Sequence, residues 1–277
     1  MIIGHNLNAI TALHFLNINQ QHMQSAMLRL SSGKKINSAS DDPAGLMISQ
    51  HMQAQINSLN IASKNSQDSI SMFQTAEGGL SETESILQRM NELAVQASND
   101  TNSTSDRASI KTELTQLGSE ITHIYSSINY NGINLLSSSG NLTFQIGATS
   151  NAYDSMGINL SSFNIGSSLS NIANGTAINV DNSDNARNSI SVIQNAINSV
   201  SSSRGVIGAY QNRLEYAIDN LNNESSNLTE AESRITDADM AKEMLLYSKY
   251  NLLQQVAQAM LSQSLHNGPE EILKLLE

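Results

Sequence analysis

The chain has 277 residues, enough for one or two domains, but it contains no Trp, only 4% aromatic residues and just two prolines, Pro43 and Pro269. Few large anchors and few breakers favour long uninterrupted helices. A net charge of −11 excludes a nucleic-acid binder, which needs a basic face, and the absence of Cys excludes disulfides and thiolate metal sites. The first segment carries Ile2, Ala9, Leu13, Leu16, Met23, Met27 and Leu30 at heptad spacing, with polar gaps at Asn6 and Gln20. Its other face is mostly Asn, Gln, Ser and Thr, and no acidic residue precedes Asp41. The segment predicts a helix that is marginal alone and needs a partner.

The run LRLSSGKKINSASDDPAGLMIS, Leu28 to Ser49, marks a junction. Ser31, Ser32 and Gly33 end one helix, and Asp42 followed by Pro43 supplies an N-cap and a first helical residue for the next. From there a seam runs through Met52, Ile56, Leu59, Ser63, Ser66, Ile70, Phe73, Glu77 and Leu80, then shifts to Ile86, Met90, Leu93 and Ala97. It predicts one helix of about 55 residues, roughly 80 Å of rod, continuous through Gly78 and Gly79. NDTNSTS, Asn99 to Ser105, reads as a turn, with N-caps offered between Thr104 and Asp106. The seam Ile110, Leu114, Leu117, Ile121, Ile124 and Ile128 predicts a helix folded back antiparallel, ending at the turn dipeptide Asn131-Gly132.

Helical period vanishes between about Leu135 and Asp184, where Ser, Asn and Gly dominate and LTFQIG and SMGINL alternate as strands do. A second long heptad helix follows through Ile193, Ile197, Val200, Arg204, Ile207, Gln211, Leu214, Ile218, Leu221, Ser225, Leu228, Glu232 and Ile235. Polar seam residues such as Arg204 and Gln211 weaken a helix pair but fix its register. The last long segment is the most apolar. Leu246, Tyr250, Leu253, Ala257 and Met260 form one stripe, widened by Leu245, Leu252, Val256 and Leu261. A helix this apolar needs cover. The N-terminal helix is the obvious partner, so the two chain ends are expected to pair. Gly268-Pro269 is expected to break or re-register the tail.

No catalytic or cofactor chemistry is visible. Gly33-Lys34 lacks the upstream glycine of a phosphate loop, no H-E-x-x-H or G-x-S-x-G occurs, and the six histidines are scattered without a ligand set. The acid pairs Asp41-Asp42 and Glu270-Glu271 read as helix-start charges. No apolar run is long enough to span a bilayer, and MIIGHNLNAIT lacks the charge and apolar stretch of a cleavable signal. A non-enzyme with no cofactor and no metal is expected.

Longer motifs carry a resemblance. MIIGHNLNAITA, RLSSGKKINSASDDPAGLMIS, the stretch ASKNSQDSISMFQTAEGGLSETESILQRMNELAVQASNDTN, NYNGINLL and FQIGA lie on the N-terminal side. SSRGVIGAYQNRLEYAIDNLNNESSNLTEAESRITDADMAKEM and LLQQVAQAMLSQS lie on the C-terminal side. Together they span about 230 residues and resemble bacterial flagellin, in a short form without large outer domains.

The resemblance implies a mainly α fold: a long antiparallel helical rod or coiled coil built by the two halves, with a small β-hairpin region in the middle. It divides the chain into the two halves of an inner helical core at 1–42 and 236–277, the two halves of a rod domain at 43–137 and 184–235, and a hairpin or variable region at 138–183. It implies a self-polymerising, extracellular filament subunit, used in motility, whose terminal helices fold on assembly. The assembly core would be Leu13, Leu16, Met23, Met27, Leu246, Tyr250, Leu253, Ala257 and Met260. Implied partners are further copies of the chain, the flagellar export apparatus and flagellin chaperone, the filament cap, the hook–filament junction proteins and a flagellin-sensing Toll-like receptor. By position the receptor would meet Gln88, Arg89, Leu93 and Glu113; activating members of the family carry a basic residue where Asn91 stands. A hook–filament junction protein or minor flagellin is the same-class alternative, and a cytoplasmic signalling coiled coil the alternative from another class.

Overall fold

The computed structural model describes residues 6–162, 166, 169, 172 and 178–273. Ile2 of the expected seam and the tail from residue 274 lie outside them. Among the described residues five long helices dominate: α1 (Leu7–Ser32), α2 (Pro43–Ala97), α3 (Thr104–Ser127), α4 (Ser183–Thr236) and α5 (Met240–Leu273). Between α3 and α4 lie two antiparallel hairpins, β1 (Asn129–Tyr130) with β2 (Ile133–Asn134), and β3 (Asn141–Gln145) with β4 (Ser155–Asn159). The chain divides into two compact units, one of Met1–Ile56 with Ser226–Glu277 and one of Asn57–Ser225.

In the middle unit α3 runs antiparallel to α2. Arg107 meets Asn99 and Asp100 at one end, Arg89 meets Glu113 in the middle, and Ile128 meets Gly79 at the other end. Helix α4 is also antiparallel to α2, as Arg204 to Glu84, Gln211 to Glu77, Ser63 to Asn222 and Asn60 to Ser225 record. Phe73, Leu80, Leu87, Met90, Ile121, Leu136, Met156, Ile158, Ile193, Ile207 and Leu214 are buried in one core. The Phe73 ring stacks on Tyr210 at 5.9 Å and meets the edge of Phe144 at 6.3 Å, which ties the β3–β4 hairpin to the helices. Seam Ser66 and its neighbour Ser69 stay buried because each hydroxyl donates to a carbonyl four residues back, Ser66 to Ala62 at 2.9 Å and Ser69 to Asn65 at 2.7 Å.

Turn and cap chemistry explains where the elements stop. Asn131 (φ 49°) and Gly132 (φ 80°) both occupy left-handed backbone, the geometry of the two-residue turn that matches strand twist. Helix α3 is capped by Ser103 rather than by a residue from 104 to 106: the Ser103 hydroxyl accepts from the Asp106 amide, and the Asp106 carboxylate accepts from the Ser103 amide. The register shift in α2 buries Leu87, fully, in place of the expected Ile86, which is only partly buried.

In the terminal unit, Gly33 (φ 72°) closes α1 by donating to the Arg29 carbonyl. Asp42 caps α2 through the Gly45 amide at 3.0 Å, and Asp239 caps α5 through the Ala241 and Lys242 amides. The two connecting segments pair. Lys34 and Asp237 form an antiparallel β-bridge, the Lys35 amide donates to the Thr236 carbonyl at 2.6 Å, and the Ala238 amide donates to the Gly33 carbonyl at 2.9 Å. The expected break at Gly268-Pro269 is not there: α5 continues to Leu273. Proline at 269 deletes one N–H from the ladder, and the turns on either side carry the helix across it.

Candidate functional site

The terminal helices show the strongest departure from a self-sufficient fold. They lie antiparallel. The Asn6 side-chain amide donates to the Ser264 carbonyl at 2.8 Å, the His22 ring stacks on Tyr250 at 4.9 Å, and Arg29 reaches Glu243 at 3.5 Å. Glu243 is buried, with its second carboxylate oxygen unpartnered. Among the less exposed positions one seam runs along each helix: Ala12, Leu16, Asn19, Met23, Ala26 and Leu30 on α1, and Glu243, Tyr247, Tyr250, Gln254, Ala257, Leu261 and Ser264 on α5. Both alternate four and three residues apart, as a coiled coil requires. Of these seam residues, Ala26, Ala257 and Glu243 are the buried ones.

The seam interleaves small and polar residues with Leu16, Met23, Leu30, Tyr247, Tyr250 and Leu261, and many other large apolar side chains stand outside it. Leu7, Ile10, Leu13, Phe15, Met27 and Leu28 on α1 are exposed, as are Met240, Met244, Leu245, Leu252, Leu253, Val256, Met260 and Leu265 on α5. Of the residues expected to form an assembly core, Leu16, Met23, Leu246, Tyr250 and Ala257 are drawn inward, while Leu13, Met27, Leu253 and Met260 face out. Each outward residue forgoes about 1.5–3 kcal/mol of burial that a covering partner would supply. So many on one helix pair describe an interaction surface, not scattered apolar residues.

A second surface was expected around Arg89. Its guanidinium bridges Glu92 at 3.0 Å and Glu113 at 3.0 Å, so it links α2 to α3 while remaining exposed. These two carboxylates hold Arg89 firmly in its charged form. Gln88 and Glu113 are exposed beside it, whereas Leu93 is 2% exposed and belongs to the buried core. Asn91 is half-buried and its side-chain carbonyl has no partner.

A feature that heptad reading missed is the ion cluster inside the middle unit. Arg204 pairs with Glu84 at 2.6 Å and Glu77 at 3.6 Å, and Gln211 donates to Glu77. Glu77, Arg204 and Gln211 were visible as polar seam residues. Their mutual pairing was not, because it depends on the antiparallel register of α2 and α4. Among the described residues, no group of three or more His, Cys, Asp or Glu is placed to hold a metal ion. No described helix is long and apolar enough to cross a membrane.

Residues 3–141 match the family model described as bacterial flagellin N-terminal helical region, and residues 190–276 match that described as bacterial flagellin C-terminal helical region. The chain is 45% identical over 280 residues to the flagellin of Halalkalibacterium halodurans and 43% identical over 308 residues to that of Bacillus subtilis, with 100% of each chain covered in both cases. It is 38% identical over 288 residues to the flagellar filament 33 kDa core protein of Treponema phagedenis, again with full coverage of both. Among solved structures, Bacillus cereus flagellin aligns with a TM-score of 0.50 at 29% identity, covering 57% of this chain and 88% of that one. A flagellar hook-associated protein of Vibrio parahaemolyticus aligns at 0.57 and 14% identity, over 71% of this chain and 100% of that one, a likeness of fold alone.

Proposed function

The chain belongs to the bacterial flagellin family, whose members are structural subunits of the flagellar filament, and from that premise we propose how this chain assembles. The carrying observation is the helix pair α1–α5, whose described residues include fourteen exposed large apolar side chains. Copies of the chain cover those side chains in one another, so the terminal helices of residues 1–42 and 236–277 form the inner core of a self-polymer. The helices pair only marginally in the free chain and their ordering is completed on assembly, since so much of their apolar surface is left without cover. Segments 43–137 and 184–235 form the surrounding rod domain, and 138–183 a hairpin region.

The work is mechanical, and no enzymatic step is assigned. The filament lies outside the cell, reached through the flagellar export apparatus with a chaperone holding the apolar terminal helices. The cap and the hook–filament junction proteins contact its ends. Identity of 43–45% to flagellins along the whole chain favours the filament subunit over a hook–filament junction protein. The exposed group Gln88, Arg89 and Glu113, with Leu93 in the buried core, is the surface offered to a flagellin-sensing Toll-like receptor. Asn91 supplies no positive charge there, so binding is weaker than in a chain with a basic residue at that position.

The test is electron microscopy of the purified chain after salting-out or seeding. Long filaments of uniform width are expected. Persistent monomers or discrete dimers with seeds present would refute the assembly reading and favour a soluble coiled coil.

A further inference from the structure

Among the described methionines the extremes of exposure divide by unit, with Met23 and Met52 of the terminal unit half-buried between them. Met72, Met90 and Met156, all in the unit of residues 57–225, are at most 5% exposed. Met27, Met47, Met240, Met244 and Met260, all in the terminal unit, are 49–69% exposed. Met27, Met47 and Met244 each stand next to an exposed aliphatic residue, Leu28, Ile48 and Leu245. The chain has no Cys, so no thiol of its own competes for an oxidant. A thioether at an exposed apolar contact is soft and reactive, while one in a packed core is shielded by its neighbours.

We propose that these five methionines are a reversible sulfoxidation site that switches self-association. The inference rests on the assembly reading above. Hydrogen peroxide transfers one oxygen atom to each sulfur: the O–O bond breaks, the S–O bond forms, the thioether is oxidised to sulfoxide and water leaves. A methionine sulfoxide reductase reverses the step, its dithiol becoming a disulfide as the sulfoxide oxygen departs as water. The sulfoxide oxygen is a strong acceptor. Beside Leu28, Ile48 and Leu245 it meets no donor when a second copy covers the face, so the oxidised surface resists burial. The middle unit keeps its core because its methionines are out of reach. Once copies cover the terminal unit, in which all five sulfurs lie, they are shielded too, so the switch acts on the free chain.

The test oxidises the full chain with limiting hydrogen peroxide, maps sulfoxides by peptide mass spectrometry, and seeds polymerisation. Oxygen is expected on residues 27, 47, 240, 244 and 260 well before residues 72, 90 and 156. The concentration needed for polymerisation should rise at least about tenfold, given several unpaired polar groups at one contact. Reductase treatment should restore it, and the M27L/M47L/M240L/M244L/M260L chain should polymerise regardless of peroxide. The proposal fails if the oxidised chain polymerises like the untreated one, or if the core methionines oxidise as fast as the terminal ones. Failure of the untreated chain to polymerise on seeds would instead bring down the assembly reading, and this inference with it.

Discussion

The Cδ1 methyl of Ile128 occupies the space that a Cβ on Gly79 would need, while the neighbouring Gly78 has nothing within 4 Å of the corresponding point. Two adjacent glycines in one helix therefore have opposite reasons to be there. Gly78→Ala is expected to stabilise the middle unit by about 0.5–1 kcal/mol, the helix-propensity gain. Gly79→Ala should lose that gain and more, for a net loss of about 1 kcal/mol, because Ile128 must leave its packed rotamer. Ile128→Val removes the colliding methyl, so the double variant G79A/I128V should be more stable than the two single losses predict. Denaturant unfolding of all four chains measures this coupling; additivity would show that the contact is unimportant.

The Arg204 cluster gives a second test. Arg204→Ala leaves Glu84, whose side chain is 19% exposed, beside Glu77 without a counter-charge. About a third of the Arg204 side chain is exposed, so solvent screening reduces the loss to about 1–2 kcal/mol rather than the larger value of a sealed pair. Arg204→Met, which keeps the packing stem, should recover less than half of that if charge dominates. Adding Glu84→Gln to either variant should relieve part of the loss, and chemical unfolding would show it.

The long helices were legible because their apolar residues recur at heptad spacing, and the Asn131-Gly132 turn because few dipeptides accept left-handed backbone at both positions. The face of α5 was harder. Following the largest apolar residues gives Leu246, Tyr250, Leu253, Ala257 and Met260, yet the seam with α1 includes Glu243, Gln254 and Ser264 and turns Leu253 and Met260 outward. A hydrophobic pattern reports which residues need cover, not which partner supplies it. When the second partner is another molecule, the greasiest stripe and the intramolecular seam need not coincide. Pairings such as Arg29 with Glu243 and Gly79 with Ile128 were illegible for a simpler reason: they depend on the relative register of distant helices.

Acid should loosen the loop before α2. The Asp41 carboxylate accepts from the Ser38 amide at 2.9 Å, the Asn37 amide at 3.1 Å and the Ser38 hydroxyl at 3.0 Å. The Ser38 amide, then the Asn37 amide, hold its pKa below the ordinary Asp value. A carboxyl whose folded pKa is depressed lends stability that is complete above the unfolded value and is lost as pH falls through the folded one. Protection of the Asn37 and Ser38 amides, relative to intrinsic exchange at the same pH, should therefore be unchanged from neutral pH down to the ordinary carboxylate range, then fall below it. In Asp41→Asn the loop should already be loosened at neutral pH, and this acid transition should be absent.

The outward and inward faces of the terminal helices can be separated by substitution. Leu245, Leu252 and Val256 are exposed on α5 and stand outside the seam positions Tyr250 and Ala257. The triple variant L245Q/L252Q/V256Q removes apolar surface that the isolated chain does not bury, so unfolding of the middle unit should shift by no more than about 0.5 kcal/mol. Polymerisation should be abolished, since each glutamine brings an amide that must be desolvated at the contact between copies. Ala257→Leu acts in the opposite sense: it inserts a bulky group where α1 passes close to α5, so it should separate the helix pair as well as impair assembly. Seeded polymerisation followed by electron microscopy, alongside cross-linking of a cysteine pair introduced at positions 22 and 250, distinguishes the two. Intact cross-linking with lost polymerisation is expected for the glutamine variant, and loss of both for A257L. Normal filaments from the glutamine variant would mean that the exposed face of α5 is not the surface on which copies meet.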